Sequence, residues 1–239
     1  RQFEQMGVII LNPSLSIQQS RDKLLASQLM ADAGVPIPVT AHVASIEDTD
    51  RAIARVGGVP CVVKATEGTQ GSSVFLIHNH QQAHQLVQQM LERGMRPLVQ
   101  TYIEESHGQD IRVLVVGGKV IAAMRRRASG SEFRSNFHLG GRVERIHLSE
   151  QHISVALTAA NILGMDIAGV DMLESRDGPL VLEVNSSPGL EGIEGASGVN
   201  VAAAVAQHLD ARLSAVREQG RAEAQLPDET APDNTLLTE

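Results

Sequence analysis

Two β-hairpin patterns constrain the fold of this 239-residue chain more than any other feature. The first, "DIRVLVVGGKVIAAM", places strand-forming residues on both sides of Gly117-Gly118, a pair suited to a two-residue turn. The second, "DIAGVDMLESRDGPLVLEVN", turns near Asp177-Gly178. A hairpin pairs neighbouring strands in an antiparallel arrangement, so these patterns favour antiparallel sheets over a doubly wound parallel sheet.

Stretches with helical spacing lie between the strands, at residues 20–33, 80–94, 149–164 and 200–216. Ser20 is the expected N-cap of the first helix, and Gly34 is its expected stop. Two further strands flank a glycine loop in "VPCVVKATEGTQGSSVFLI", and another lies in "RPLVQTYIEE". The opening "RQFEQMGVIILN" predicts a helix end and a short strand. Together these elements predict an α+β fold.

Composition limits the class of protein. Hydrophobic residues make up 42% and charged residues 20%, enough for one large globular domain or two small lobes. Aromatic residues at 2% and a net charge of −8 argue against direct nucleic-acid binding. No apolar run is long enough to span a bilayer. The single cysteine, Cys61, predicts a buried strand thiol and no internal disulfide. We therefore expect a cytoplasmic protein without a membrane partner.

The two ends of the chain differ from its middle. Residues 1–15 resemble the remnant of an N-terminal domain whose beginning lies outside the sequence, which starts with arginine. Residues 218–239 are acidic, contain two prolines and lack apolar periodicity. They predict a disordered tail, with an interaction role as the alternative.

Polar side chains interrupt the apolar strands of the second hairpin. If that hairpin turns near Asp177, Asp171 lies opposite Glu183, and Asn185 shares the face of Glu183. Facing residues are only ~5 Å apart, and two close carboxylates favour a bound cation. Oxygen ligands suit Mg²⁺, and a bridging carboxylate could hold two ions. A solvated acidic hairpin is the alternative, but it does not explain a polar face on apolar strands.

A lysine precedes the glycine loop. Lys64 ends a strand, and residues 68–71 begin and end with glycine, which lets backbone N–H groups face an anion. The spacing is not that of a P-loop, because the lysine comes before the loop and no helix follows. A plain hairpin turn explains the two glycines equally well. Lys23 could be a second cation for phosphate, or an ordinary exposed helix lysine.

Arginines cluster after the first hairpin. Its turn predicts that Asp110 lies opposite Arg125, on the same face as Arg112. The cluster consists of Arg125, Arg126, Arg127 and Arg134. Arginine is a natural donor to carboxylate and phosphoryl oxygens. A solvated basic turn and a nucleic-acid patch are the alternatives, and the composition weakens the second.

Seven stretches, in this order, resemble the ATP-grasp ligases and, more narrowly, the RimK-type alpha-L-glutamate ligases that modify a ribosomal protein. They are "SRDKLLASQLM", "CVVKATEGTQGSSV", "LVQTYIEES", "QDIRVLVVGGKV", "EFRSNFHLGG", "AGVDML" and "LEVNSSPGLEGIEGASG". The resemblance runs from about residue 11 to about residue 216. The motifs "EGTQG", "FRSN" and "EVNSSPGLEGIEG" are specific when they occur together.

The resemblance implies two antiparallel α+β lobes that grip ATP, residues 16–98 and 99–217. It assigns phosphate contacts to two lysines and a closing loop, adenine to a strand, ribose to an aspartate, and further nucleotide contacts to the "FRSN" motif. The lysines are Lys23 and Lys64, and the closing loop consists of Gly68, Thr69, Gln70, Gly71 and Ser72. The adenine strand supplies Gln100, Thr101 and Tyr102, and the ribose aspartate is Asp110. The "FRSN" contacts come from Arg134, Ser135 and Asn136.

The resemblance also implies the chemistry. Asp171, Glu183 and Asn185 would hold two Mg²⁺ or Mn²⁺ ions, and Arg126, Arg134 and Asn185 would be catalytic. A carboxylate would become an acyl phosphate, and an amine would attack it to give an amide, ADP and phosphate.

The implied substrates are L-glutamate and the C-terminal tail of the sixth small-subunit ribosomal protein, with the enzyme as a homo-oligomer. The alternatives are a ligase for a small-molecule amine or cofactor, a phosphotransferase, and a regulatory nucleotide-binding module.

Three positions depart from the resemblance. Thr101 replaces a usual glutamate, which leaves only backbone contacts to adenine, and Leu139 replaces a usual arginine near the presumed acceptor site. Gly169 stands where other ATP-grasp branches carry an arginine, so positive charge must come from elsewhere.

Overall fold

The first sheet carries two helices on one face. The computed structural model describes residues 1–67, 73–130, 132–135 and 141–223, except the side chains of 219–223. Four antiparallel strands form this sheet in the order β1-β4-β2-β3. Its elements are β1 (Thr40–His42), α4 (Thr49–Arg55), β2 (Cys61–Ala65), β3 (Val74–Ile77), α5 (His80–Glu92) and β4 (Pro97–Thr101).

The second sheet is larger. Five antiparallel strands follow the order β7-β6-β5-β8-β9. They are β5 (Gln109–Val116), β6 (Lys119–Arg127), β7 (Arg142–Arg145), β8 (Ile167–Ser175) and β9 (Gly178–Asn185). The remaining helices are α1 (Gln2–Gln5), α2 (Ser14–Arg21), α3 (Lys23–Asp32), α6 (Glu150–Ile162), α7 (Glu191–Ser197) and α8 (Val201–Glu223), with 3₁₀ turns at Ile46–Asp48 and Glu104–Ser106. The predicted α+β fold is confirmed.

The first sheet buries one apolar face against its two helices. In the first sheet Val63 and Val99 pack against Ile53 of α4 and Val87 of α5. The fully buried thiol of Cys61 joins this core, as predicted. Strand side chains alternate between faces, so the residues between these apolar positions point the other way.

The second sheet is covered on both faces. One face packs against α6 and also against α3, through Met30. The predicted first lobe, residues 16–98, therefore contributes a helix to the core of the second sheet. The other face packs against α7 and α8 through Ile193 and Val201, which contact Leu114 of β5. On the same face, toward the Asp110 end of β5, the side chains are polar.

The start of the chain differs from expectation. The short strand predicted within residues 1–12 does not form, and α2 begins at Ser14, ahead of the predicted helix start at Ser20. Ser20 lies inside α2 and is not an N-cap. The cap of α3 is Asp22, whose carboxylate accepts hydrogen bonds from the backbone amides of Leu24 and Leu25. A carboxylate at this position satisfies helix amides that would otherwise lack partners.

Both predicted hairpins form, but one has a different register. In the first, a bulge between Leu114 and Val115 shifts the pairing by one residue. Asp110 therefore lies opposite Arg126, and the prediction of Arg125 was wrong. In the second hairpin, Asp171 lies opposite Glu183 as predicted.

The last helix is longer than predicted. It continues to Glu223, past residue 218, where the tail was expected to begin. The rest of the predicted tail, residues 224–239, lies outside the described residues. In the part of the chain that the structure describes, no helix is long and apolar enough to cross a membrane.

Candidate functional site

One end of the second sheet presents a polar face. Strand alternation and register bring together side chains from four adjacent strands on the face opposite α6. They are Asp110, Arg112, Arg126, Asp171, Glu183 and Asn185. Five of the six are residues that the sequence singled out for the site. The structure adds Arg112 as a direct partner of Asp171.

Asp171 is the centre of a buried ion-pair network. Arg112 donates from Nε to Oδ1 and from Nη2 to Oδ2, both at 2.7 Å. Arg126 reaches the same Oδ2 at 2.8 Å and also donates from Nε to Asp110 at 2.6 Å. Burial disfavours the charged form of Asp171, but the two guanidinium groups outweigh this effect and lower its pKa to about 2. The carboxylate is therefore ionised throughout the physiological range.

Asn185 joins the two acidic strands. Its Nδ2 donates to Glu183 Oε1 at 3.2 Å, and to Asp171 Oδ2 and the Gly169 carbonyl at 3.3 Å each. The amide nitrogen thus lies between the two carboxylates, where a cation would also be attracted. Turning the amide over would place an oxygen there instead. Two carboxylates and one amide oxygen form a donor set that suits Mg²⁺.

Protein groups alone do not complete a metal site. Among the residues that the structure describes, no group of three or more His, Cys, Asp or Glu side chains is arranged to hold a metal ion. A cation held by the two carboxylates and the amide would need further oxygen ligands. Mg²⁺ commonly takes these from water and nucleotide phosphates.

A buried lysine faces this network from the first sheet. Lys64 is 4% exposed and donates from Nζ to Gln100 Oε1 at 3.0 Å. Burial lowers its pKa to about 8; the negative charge of Glu183 opposes that shift, and the positive charge of Lys23 adds to it. Glu183 and Lys23 therefore both lie near enough to Lys64 for their charges to act on it.

Lys23 begins α3, beside the base of the glycine loop. Its backbone amide donates to the Thr66 carbonyl at 3.1 Å. Arg96 bonds the cap residue Asp22 at 3.2 Å and Glu67 at 2.9 Å. These contacts fix the start of α3 against the end of β2. The loop residues predicted to close over phosphate lie outside the described residues, as does Asn136; they are Gly68, Thr69, Gln70, Gly71 and Ser72.

The predicted adenine strand divides its side chains between two faces. Gln100 points toward Lys64 and is 4% exposed. The Thr101 hydroxyl donates to the Val56 carbonyl at 2.9 Å, on the side of the helical core. The Tyr102 hydroxyl bonds His107 Nδ1 at 2.5 Å. The Thr101 side chain is therefore engaged on the helical side of the sheet.

The "FRSN" segment is anchored by a local ion pair. Arg134 donates to Glu132 from Nε at 3.0 Å and from Nη2 at 2.8 Å. The guanidinium also lies 5.8 Å from the centre of the Phe133 ring. Burial raises the pKa of Asp110, and the hydroxyl of the buried Ser135 lies close enough to oppose that rise. The segment therefore borders the Asp171 network at Asp110.

Gly169 is required by close packing. A Cβ at this position would lie 2.7 Å from Pro188 Cβ, which leaves no space for a side chain. The same Cβ position lies 3.8 Å from Arg112 Nε. Arg112 of the neighbouring strand therefore places positive charge close to the position where other branches carry an arginine. Strand alternation places Arg112 on the same face as Asp110, but no hairpin links β5 to β8, so the sequence does not identify Asp171 as its partner.

This combination of two antiparallel lobes, a buried lysine and an acidic strand end defines an ATP-grasp protein. The RimK-like ATP-grasp domain profile matches residues 20–209. The chain therefore belongs to the RimK-like ATP-grasp family, and with it to the ATP-dependent ligases. The fold, the family and the ligase class expected from the sequence are confirmed.

Individual relatives agree with this assignment. The chain is 50% identical over 214 residues to a probable alpha-L-glutamate ligase of Aeromonas salmonicida, covering 90% of this chain and 72% of that protein. It is 44% identical over 221 residues to a protein of the same name in Legionella pneumophila, covering 92% and 73%. The ATP-grasp ligase PsnB, solved with a phosphomimetic precursor variant, Mg and ADP, superposes with a TM-score of 0.67 at 26% identity. This chain is covered to 88% and spans 64% of PsnB.

Proposed function

We propose that this protein joins a carboxylate to an amine at the expense of ATP, through an acyl phosphate, and releases ADP and phosphate. The observation that carries the proposal is a buried lysine close to an acidic strand end. Lys64 is buried within the electrostatic influence of Glu183, and two guanidinium groups neutralise the buried Asp171 carboxylate on the adjacent strand. Opposite charges arranged in this way suit a nucleotide triphosphate with its metal.

The lysines would bind the phosphates of ATP. The buried Lys64 ammonium, with a pKa of about 8, is still mostly protonated at neutral pH, and a phosphate nearby would favour that form further. Lys23 would add a second charge from the start of α3. Adenine would contact the backbone of Gln100, Thr101 and Tyr102.

Asp171, Glu183 and Asn185 would hold Mg²⁺ or Mn²⁺, with two ions as the proposed number. When bound, such ions neutralise the oxygens of a phosphoryl group during its transfer. The donor set supports this assignment, as does the low pKa that keeps Asp171 ionised. PsnB, which shares the fold, was solved with Mg and ADP.

The arginines would stabilise the charge that develops between two anions. Phosphoryl transfer to a carboxylate brings negative groups together, and fixed guanidinium groups lower the cost of doing so. Arg126 is held by Asp110 and Asp171 in a rigid position suited to this role. Both Asp110 oxygens bond Arg126, so we propose that Asp110 orients Arg126 as well as bordering the ribose site. Arg134 would contribute from the "FRSN" segment.

The substrates come from the family. The relatives named above are called alpha-L-glutamate ligases, so we propose L-glutamate as the amine substrate. The acceptor proposed from the sequence resemblance is the C-terminal tail of the sixth small-subunit ribosomal protein, modified in the cytoplasm by a homo-oligomer. Leu139 replaces a usual arginine near the acceptor site, which makes the acceptor the part most in need of testing.

The test is the substrate dependence of ADP release. The protein is incubated with ATP and Mg²⁺, then with L-glutamate, with an acceptor peptide carrying that ribosomal C-terminus, and with both. We expect ADP and phosphate only when both are present, and none from Asp171→Asn. ADP with a phosphorylated product and no amide would instead indicate a phosphotransferase. An amide formed with a small-molecule amine in place of L-glutamate would change the amine substrate and leave the ligase activity in place.

A further inference from the structure

We infer that Thr40 is a positioning residue: its hydroxyl fixes the Gln100 amide, and the amide oxygen holds the Lys64 ammonium toward the phosphate site. The inference rests on the proposed function, because it assumes that Lys64 binds phosphate. No sequence pattern singles out Thr40. It becomes visible only when the register of the first sheet is known.

Three neighbouring strands bring these side chains together. Thr40 of β1 pairs directly with Gln100 of β4. Lys64 of β2 pairs with Leu98, two residues from Gln100, and is therefore its diagonal neighbour. All three side chains lie on the face opposite the helical core. Gln100 Nε2 donates to Thr40 Oγ1 at 2.8 Å, and Lys64 Nζ donates to Gln100 Oε1 at 3.0 Å.

The direction of each hydrogen bond is determined by the number of protons. The Thr40 hydroxyl has one hydrogen, which it donates to the Pro38 carbonyl at 2.9 Å. Its oxygen can therefore only accept from Gln100. The amide must then present its NH₂ group to Thr40 and its oxygen to Lys64. The reverse orientation would place NH₂ against an ammonium, which has no acceptor.

The carbonyl that orients Thr40 belongs to an anchored segment. The Pro36 carbonyl accepts a hydrogen bond from the backbone amide of Val181 in β9 at 2.8 Å. The Val39 carbonyl accepts one from the amide of Thr101 at 2.9 Å. The segment that precedes β1 is therefore hydrogen-bonded to both sheets. The Pro38 carbonyl within it is held in place and orients the Thr40 hydroxyl.

A fixed amide oxygen matters because lysine is flexible. An ammonium carries three N–H donors on a four-carbon stem, and the bond to Gln100 uses one of them. The remaining donors then point in defined directions when ATP arrives. Without the Thr40 hydroxyl the amide can turn over, and the ammonium loses its buried acceptor.

The test compares Thr40→Val, which keeps the shape of the side chain, with Thr40→Ser, which keeps the hydroxyl. Calorimetry with Mg-ATP and with adenosine measures the affinities of the full chain. We expect Thr40→Val to weaken ATP binding about three- to tenfold and to leave adenosine binding unchanged. Thr40→Ser should bind ATP within about twofold of wild type. Should Thr40→Val fail to fold, Thr40→Ala is measured in its place.

A double-mutant cycle separates this inference from the proposed function. In the Lys64→Ala background, Thr40→Val should cause no further loss of ATP affinity, because its effect acts through the ammonium. Three results would overturn the positioning role of Thr40. The first is wild-type ATP affinity in Thr40→Val, and the second is an equal loss of affinity for ATP and adenosine. The third is a loss of ATP affinity from Thr40→Val that is as large in the Lys64→Ala background as in wild type. If wild type and Lys64→Ala bind ATP equally, the phosphate role of Lys64 in the proposed function fails instead.

Discussion

Replacing Arg112 by alanine should destabilise the folded protein by several kcal/mol. The Arg112 and Asp171 side chains are 14% and 2% exposed, so their ion pair is buried. Removing one partner from a buried pair costs about 3–5 kcal/mol, because the other charge is left without compensation. Arg126 still bonds Asp171 at 2.8 Å, so we expect the lower end of that range, about 3 kcal/mol.

The effect should depend on pH in a defined direction. A carboxyl whose pKa is lowered by folding stabilises the protein above its unfolded pKa of about 4, and this contribution is lost as pH falls toward the folded value. For Asp171 the folded value is about 2. Arg112→Ala raises that pKa. The difference from wild type should therefore be complete at neutral pH and shrink in acid, as pH falls from the raised pKa of the variant toward the wild-type value of about 2.

Urea unfolding followed by circular dichroism measures the difference, with Arg127→Ala as the control. Arg127 pairs with Glu144, and both side chains are about half exposed, at 51% and 50%. Such a surface pair contributes at most about 1 kcal/mol. Equal losses in Arg112→Ala and Arg127→Ala, or a loss that does not change in acid, would refute the reasoning.

Three further predictions follow from the site. Asp171→Asn and Glu183→Gln should each abolish turnover in the ADP-release assay while circular dichroism remains that of wild type. Lys64→Ala should weaken ATP binding in calorimetry. In wild type the ATP affinity should fall as pH rises past about 8, because the Lys64 ammonium of the free protein loses its proton there. In Lys64→Ala this fall in affinity should be absent. Gly169→Ala should cost about 1–3 kcal/mol in urea unfolding, because its Cβ would meet Pro188 at 2.7 Å.

Each of these predictions has an opposing outcome. Wild-type turnover in either carboxylate variant would remove that residue from the site. An unchanged dissociation constant in Lys64→Ala, at every pH, would remove the lysine. Wild-type stability in Gly169→Ala would show that Pro188 moves without cost.

The parts of the fold that depend on local pattern could be predicted from the sequence. Glycine turns between strands of alternating apolar residues predict both hairpins. In the second hairpin, the turn and strand alternation place Asp171 opposite Glu183 to within one residue, and a bulge between Asp171 and Met172 brings the pairing to the predicted register. The polar face that carries the candidate metal ligands therefore follows from the sequence.

The parts that depend on irregular backbone could not be predicted. A bulge at Leu114 adds one residue to the pairing, and no residue type there signals it. Without it, Arg125 is selected in place of Arg126 as the partner of Asp110. The cap of α3 shows a similar difficulty, because Ser20 and Asp22 are both good capping residues and only the break after α2 decides between them.

Contacts between distant segments were also inaccessible. The pairing of Arg112 with Asp171 needs the neighbourhood of β5 and β8, which no hairpin links. The hydrogen bonds that connect Thr40 to Lys64 through Gln100 can be identified only from the strand order of the first sheet, where β4 lies between β1 and β2. The sequence resemblance supplied most of the candidate site residues, but the contacts that hold them in place come from the tertiary structure.

The most direct test of the central claim is mass spectrometry of the reaction product. The chain is incubated with ATP, Mg²⁺, all the amino acids and the proteins of the small ribosomal subunit, with Asp171→Asn in parallel. We predict that one acceptor gains mass in steps of a glutamyl residue, that ADP accumulates with it, and that the variant gives neither. An acceptor that gains a phosphoryl group instead, or steps that persist in Asp171→Asn, would contradict the account.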